Sequence, residues 1–317
     1  MKSLDSLLRS LRLQSELQNR VVLNEPWAVY FPASPKTGKF HFIEEGGGVM
    51  TVPGMPPVVL EKGDFALVLG EGHTVQDRNL SAPTDICDLV SCANVLCESG
   101  ITLQFGGDGP ETSVISGKFT FEDADTHPLW RSLPPYILIK GSEGHSVDWL
   151  ETTLAFLASE ATSVRPGVNA VLDRLCDVLF IQALRGWVQF DEAAQGWPAA
   201  VRDPAMDQAL DLMHRQPAEP WTLAGLADRV AMSRSAFAER FRRLLGESPM
   251  VYLARWRMHQ AAVLLRDGKE SVATVAERVG YESEAAFAKA FKRQVGVSPG
   301  AYRRGAVSPL FSATISP

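Results

Sequence analysis

The chain has 317 residues, 45% apolar and 21% charged, the balance of a globular protein of two or three domains and not of a disordered, collagenous or low-complexity polymer. No apolar run reaches the ~18 residues of a membrane-spanning helix, and four cysteines are too few for a disulfide scaffold. The net charge of -6 hides an asymmetry: residues 211–317 carry 16 Lys+Arg against 10 Asp+Glu, leaving 15 against 27 in residues 1–210, and a basic half joined to an acidic one points to nucleic-acid or membrane contact by the basic half.

The opening Met1-Lys2-Ser3-Leu4-Asp5-Ser6-Leu7-Leu8-Arg9 lacks the apolar core and small-residue cleavage site of a leader, so a cytoplasmic protein is expected. Leu4, Leu7, Leu8, Leu11 and Leu17 stand at roughly helical spacing and predict a short amphipathic helix within residues 4–23. From about 26 to 120, apolar stretches such as Trp27–Phe31, Phe40–Ile43 and Phe65–Leu69 alternate with Gly- and Pro-rich breaks, among them Gly46-Gly47-Gly48 and Gly106-Gly107. Many short strands between turn signals predict a sandwich or barrel. From about 146 to 190, Leu150, Leu154 and Leu157 line one helical stripe; beyond Pro166-Gly167, Leu172, Leu175, Leu179 and Leu184 line a second, which predicts an αα-hairpin. Asp203 is placed to cap a helix that holds Pro204 in its first turn. Residues 201–220 read as a linker with this short helix, closed by Gln216-Pro217-Ala218-Glu219-Pro220.

The strongest pattern is a repeat. Thr222–Val230 aligns with Ser271–Val279, and after one inserted residue, Glu282, the match continues. Ser233, Phe237, Phe241, Gly246 and Pro249 meet Ser283, Phe287, Phe291, Gly296 and Pro299. Self-similarity at one period means one structural unit used twice. Each unit reads as a helix, a short turn and a second helix begun by a Ser N-cap and ended by Gly, with two Phe four apart on an inward face. Two helices joined by a tight turn, with charge on the outer face of the second, match a helix-turn-helix. Val251–Leu265 predicts one long helix between the units, carrying Arg255, Arg257 and His259.

Residues 221–304 resemble the DNA-binding domain of AraC/XylS-type transcription regulators. Gly280-Tyr281-Glu282-Ser283-Glu284-Ala285-Ala286-Phe287 and Gly296-Val297-Ser298-Pro299-Gly300-Ala301-Tyr302-Arg303-Arg304 are close to that family's signature. The resemblance implies that the second helix of each unit, here about 233–245 and 283–295, lies in a major groove of double-stranded promoter DNA. It implicates Arg234, Ser235 and Glu239, and in the second helix Glu284, Ala285 and Lys289, in reading bases. Glu239 stands where many relatives place a basic residue, and Ala285 cannot hydrogen-bond a base. Glu can accept from cytosine and Ala can touch a thymine methyl, while Glu239 can instead pair with Arg243 one turn on. Arg240, Arg242, Arg243, Arg257, Lys292 and Arg293 are expected on phosphates, which position the protein without reading sequence.

The amino-terminal part resembles the cupin barrel fused to AraC-type regulators. The residues that carry this are Phe40-His41-Phe42-Ile43-Glu44-Glu45-Gly46, Leu60–His73, Ile115–Phe121 and Pro128-Leu129-Trp130-Arg131-Ser132-Leu133-Pro134-Pro135. The expected architecture is therefore α+β multidomain. A cupin-like sensor domain spans 1–200, with its helical hairpin at about 146–190, and a linker occupies 201–220. An all-α double helix-turn-helix domain spans 221–304, and a mobile tail 305–317.

Cupin enzymes use several His and a carboxylate. Only His41, Glu45 and His73 fall near those places here and the paired-His element is missing, so hydrogen-bonded structural histidines are expected, with no metal and no other cofactor. Trp27, Tyr30, Phe42, His41 and His73 are candidates to line a small-molecule site inside the barrel. Cys87, Cys92 and Cys97 recur every five residues, which is no C-x-x-C motif. They read as small buried side chains or, since some relatives of this architecture respond to oxidants, as a redox switch. In the resembling family the helices after the barrel form a dimer contact, which implies a homodimer through some of Leu150, Leu154, Leu157, Leu172, Leu175 and Leu179. The function implied is a sequence-specific transcription regulator, not an enzyme, with RNA polymerase a further partner if it activates. A cupin oxygenase would need a fuller His set. An alkyl-transfer repair protein would need a four-cysteine zinc site with paired spacing.

Overall fold

The computed structural model describes residues 2–81, 84–85, 103–141, 147–161, 165–190, 196–268 and 270–305. The chain forms two compact units. Cys87, Cys92, Cys97 and the expected tail beyond Gly305 lie outside the described residues.

The first unit comprises Arg12–Glu122 and Leu133–Asp191. Its strands are β1 (Leu13–Asn24), β2 (Ala28–Phe31), β3 (Thr37–Glu45), β4 (Gly47–Thr51), β5 (Val58–Glu61), β6 (Phe65–Leu69), β7 (His73–Gln76), β8 (Thr84–Asp85), β9 (Leu103–Gly106), β10 (Glu111–Phe121) and β11 (Tyr136–Ile139). They make a six-stranded sheet, β11-β6-β3-β10-β1-β9, and a five-stranded sheet, β5-β4-β7-β2-β8. Trp27, Val29, Phe31, Ile43, Met50, Leu60, Val68, Val75 and Val114 form one buried core shared by both sheets. The Gly46-Gly47-Gly48 run is more than a break. Gly46 turns the chain at φ +74°, and Gly47 and Gly48 lie in β4, where a Cβ would come within 2.6 Å of the Leu60 carbonyl and 2.5 Å of the Gln76 carbonyl.

The helix expected within residues 4–23 is in fact a helix and a strand. Helix α1 spans Lys2–Ser10, and β1 then pairs antiparallel with β10 along its length. Leu13, Ser15 and Leu17 alternate with Gln14, Glu16 and Gln18, a period of two that the leucine count masked.

Helices α2 (Val147–Ala161) and α3 (Val168–Phe190) pack on each other, and α3 packs on β1, β10 and β11. The reason is an aromatic layer on the sheet's outer face. Phe40 stacks between Phe65 and Phe119, and Phe119 and Phe121 meet Phe180 of α3. Most of the leucines expected at a dimer contact are engaged in this packing. Leu154, Leu157, Leu172 and Leu179 are buried within their own unit and Leu175 is half-buried, while the exposed large apolar side chains described on these helices are Phe156, Val171 and Val178. Leu150 lies outside the residues whose side chains are described.

The second unit comprises Met1–Leu11, Asp123–Ser132 and Glu192–Pro317. Its helices after α1 are α4 (Trp197–Arg202), α5 (Pro204–Arg215), α6 (Leu223–Arg229), α7 (Arg234–Leu245), α8 (Pro249–Asp267), α9 (Val272–Arg278), α10 (Glu284–Val295) and α11 (Pro299–Arg303). The compact units therefore do not follow a single division of the chain at residue 200. Helix α1 belongs here because the Asp207 carboxylate of α5 accepts hydrogen bonds from its Lys2 and Ser3 amides and from Ser3 Oγ, capping its exposed N–H groups. Residues 123–132, which carry part of the barrel-like motif, bury Thr126 and His127 beside His259 and Trp256 of α8. Residues 201–220 are not a separate linker: Met206, Ala209, Leu210 and Met213 of α5 enter one core with Leu226, Phe237 and Phe241.

Candidate nucleic-acid interface and barrel interior

The two repeats fold alike because they are capped and cored alike. Thr222 and Ser271 accept hydrogen bonds from the Gly225 and Thr274 amides and open α6 and α9. Ser233 and Ser283 do the same with the Ala236 and Ala286 amides and open α7 and α10. Gly246 and Gly296 end those helices in the left-handed conformation. Phe237 and Phe241 are fully buried in one core, and Phe287 and Phe291 in a second with Val275, Ala276 and Val279. Helix α8 serves both: Tyr252 and Leu253 enter the first core, Met258, Ala261, Ala262 and Leu265 the second.

With every large apolar side chain of α7 and α10 turned inward, the outer faces are polar. Arg234, Ser235, Glu239, Arg242 and Arg243 are exposed on α7, and Glu284, Ala285, Lys289, Lys292 and Arg293 on α10. Among the described residues no Glu239–Arg243 ion pair is formed, and both side chains are exposed. The charges are inverted between repeats: Arg234 and Glu239 on α7 stand where α10 has Glu284 and Lys289.

Two residues expected on phosphates are engaged inside the protein. Arg240 is ion-paired with Asp203, which also caps α5 by accepting from the Ala205 and Met206 amides. Arg257 donates from Nε to the Pro217 carbonyl and from Nη2 to the Glu219 carbonyl, both at 2.7 Å, and lies over the Tyr281 ring. It clamps the loop before α6 onto α8. In both cases carbonyl or carboxylate partners were placed by chain segments that helical spacing alone does not bring together.

Inside the barrel, the structure brings His41 and His73 together and leaves Glu45 apart. His41 Nε2 is 2.7 Å from His73 Nε2, His41 Nδ1 is 2.9 Å from Ser116 Oγ, and His73 Nδ1 is 3.3 Å from the Glu71 carbonyl. A carbonyl only accepts, so His73 carries its proton on Nδ1 and its Nε2 accepts from His41 Nε2–H; His41 Nδ1 then accepts from Ser116. Both rings are neutral. Burial lowers His41 well below its ordinary value, with the neighbouring His73 and Lys39 acting in the same direction, and burial lowers His73 to about 4. The Phe31 ring stacks on His73 at 4.9 Å. Glu45 is exposed and ion-paired with Lys62, so it does not join the histidines. Among the described residues no three His, Cys, Asp or Glu side chains are grouped to hold a metal.

Trp27 is in the barrel core, and its indole N–H is buried with no hydrogen-bond partner among the described residues. Tyr30 is exposed and Phe42 shares a strand face with Phe40, opposite to His41, so neither lines the interior. Ser116 was missed because the β3–β10 register that sets it opposite His41 is a long-range pairing. Cys176 is buried, and its thiol is pushed up to about 12 by burial and by the Asp173 and Asp177 carboxylates, which makes it unreactive.

Residues 3–189 match the family described as Cupin, and residues 226–305 match the helix-turn-helix domain family. An AraC-like transcription regulator of Streptomyces lividans is 33% identical over 312 residues, 98% of this chain and 100% of that protein. The chain belongs to the AraC-like family of transcription regulators. The HTH-type transcriptional regulator AlkR of Acinetobacter baylyi is 31% identical over 84% of this chain and 85% of its own. The RCS-specific transcriptional activator RclR of Escherichia coli is 32% identical over 62% of this chain and 69% of its own. Among solved structures, the DNA-binding domain of AdpA in complex with a target DNA is 38% identical over 32% of this chain and 92% of that one, at a TM-score of 0.31. As a member of this family the protein is a DNA-binding transcription regulator with an amino-terminal cupin domain.

Proposed function

We propose that α7 and α10 read promoter DNA through Arg234, Ser235 and Glu239 and through Glu284, Ala285 and Lys289, with Arg242, Arg243, Lys292 and Arg293 on phosphates. The observation that carries this is the matched pair of helices whose large apolar side chains are all inward and whose outer faces are charged. The test is affinity for a duplex selected from a randomised library, measured against salt. Arg242→Ala is expected to weaken binding to all sequences alike and to lower the salt slope by about 1. Arg234→Ala is expected to cost about 1–3 kcal/mol on the selected duplex and to relax its preference at one base pair. Equal losses on selected and unrelated duplexes for Arg234→Ala would remove it from the base-reading set.

The barrel is proposed to sense a small molecule or an oxidant and to bias DNA binding from within the cytoplasm. The Ser116–His41–His73 hydrogen-bond chain and the Trp27 indole N–H, which has no partner among the described residues, are buried polar groups available to a ligand acceptor or to a change of proton position. Cys87, Cys92 and Cys97 are kept as the oxidant-sensing alternative. DNA binding by reduced and hypochlorite-treated protein, with a Cys87/Cys92/Cys97→Ser variant alongside, separates the two. A homodimer is proposed through the faces bearing Phe156, Val171 and Val178, with RNA polymerase a further partner where the protein activates.

A further inference from the structure

The segment Asp123–Ser132 is joined at one end to β10 and at the other to β11, both strands of the barrel unit, yet it is built into the DNA-binding unit. Contacts with α8 and α1 hold it there. The Asp123 carboxylate, 2% exposed, is ion-paired with Arg266 at the end of α8. Thr126 Oγ1 is 3.1 Å from His259 Nδ1. The His127 ring lies edge-on to His259 at 4.6 Å between centroids, and His127 Nε2 is 3.0 Å from Ser10 Oγ of α1. Because His127 Nδ1 accepts from the Leu129 amide, the ring is neutral with its proton on Nε2.

Arg266 continues the connection. Its Nη2 donates to the Tyr302 hydroxyl at 2.7 Å and its guanidinium lies over the Tyr302 ring. Tyr302, on α11, packs against Phe291 of α10 at 5.5 Å. The chain of contacts therefore runs Asp123, Arg266, Tyr302, Phe291, from a strap anchored in barrel strands to the core of the second DNA-reading helix. A short surface loop needs no buried ion pair to stay folded. An arginine shared between the strap and α11 makes the setting of α10 depend on whether the strap is docked.

We propose that residues 123–132 are the element through which the barrel acts on DNA binding. When the strap is docked, Asp123 holds Arg266 on Tyr302 and α10 is fixed in its DNA-competent setting. When a change in β10 or β11 withdraws the strap, α11 and α10 loosen and the second half of the DNA site is released. Coupling of this kind is reciprocal, so DNA must tighten the strap and the barrel strands that hold it. That reciprocity allows a test without knowing the signal.

The test is amide hydrogen exchange on the full chain, with and without the duplex selected from a randomised library. DNA is expected to slow exchange in α7 and α10 and, by about fivefold or more, in the Asp123-proximal end of β10 and in β11. In Asp123→Asn the slowing in β10 and β11 is expected to disappear while that in α7 remains. Thr126→Val, which keeps the ion pair and removes the hydroxyl's bonds to His259 and to the Asp123 carbonyl, is expected to reduce it and serves if Asp123→Asn does not fold. Protected α7 and α10 with unmoved β10 and β11 in the wild type would overturn the strap alone, as would a full effect surviving in both variants. The proposal rests on the DNA-binding reading: unmoved α7 and α10 would overturn that reading and the strap with it.

Discussion

Ala231 and Gly280 occupy the same place in the two repeats, the turn between the paired helices, and both have positive φ, +53° and +81°. The left-handed region costs an L-residue about 1 kcal/mol and costs glycine nothing. Ala231→Gly is therefore expected to raise the urea midpoint, with a gain in unfolding free energy of up to about 1 kcal/mol. Gly280→Ala is expected to lower it by more, because a Cβ there would lie 2.8 Å from the Ala218 carbonyl and 2.9 Å from Arg257 Nη2. Equal and opposite shifts, or none, would count against this account of the turn. Arg257 belongs to the same knot. Arg257→Ala is expected to destabilise the DNA-binding unit by about 1–3 kcal/mol, since two carbonyls lose a charged donor. It is expected to leave the salt slope of DNA binding unchanged, which distinguishes it from Arg242→Ala.

At the level of elements, the twin helix-turn-helix was legible because its determinants are local. Ser caps, Phe pairs at i and i+4 and terminal glycines lie within a dozen residues of each other, and the repeat displays each twice. β1 was misread because its leucines fit a helix by count, and only pairing with β10, about a hundred residues away, decides the matter. The His41–Ser116 contact and the clamp on Arg257 were illegible for the same reason. The helical stripes of α2 and α3 were found, but periodicity gives a face and not its partner. It could not tell packing on Phe119 and Phe121 from packing on a second copy. The exposed residues now make the dimer testable. Val178→Glu is expected to shift a dimer to monomer in sedimentation, whereas Leu179→Ala, fully buried, is expected to cost about 2–5 kcal/mol of monomer stability.

Across the described residues, burial holds His41 and His73 of the barrel unit and His127 and His214 of the helical unit neutral. Burial lowers His73 and His127 to about 4 and His214 to about 3, and lowers His41 with them. The folded-state values lie below the ordinary 6.5, so the unfolded chain binds more protons between them. The stability they confer is complete above pH 6.5 and is lost as pH falls from 6.5 toward 4, by on the order of 1.4 kcal/mol per pH unit for each histidine. Urea unfolding at pH 7.5 and 5 should show this loss, and a midpoint that does not move would contradict it. His214→Gln is expected to flatten the slope for the helical unit. The discontinuous make-up of that unit has a consequence for inheritance. A crossover at residue 200 between two such genes would give each offspring a reader from one parent and, through residues 2–10 and 123–132, two of its structural parts from the other. Asp123 would then face whatever the new parent carries in place of Arg266. Exchange of sensors is viable only where those ten strap residues travel with the helices that grip them, so this reader cannot be traded as a cassette.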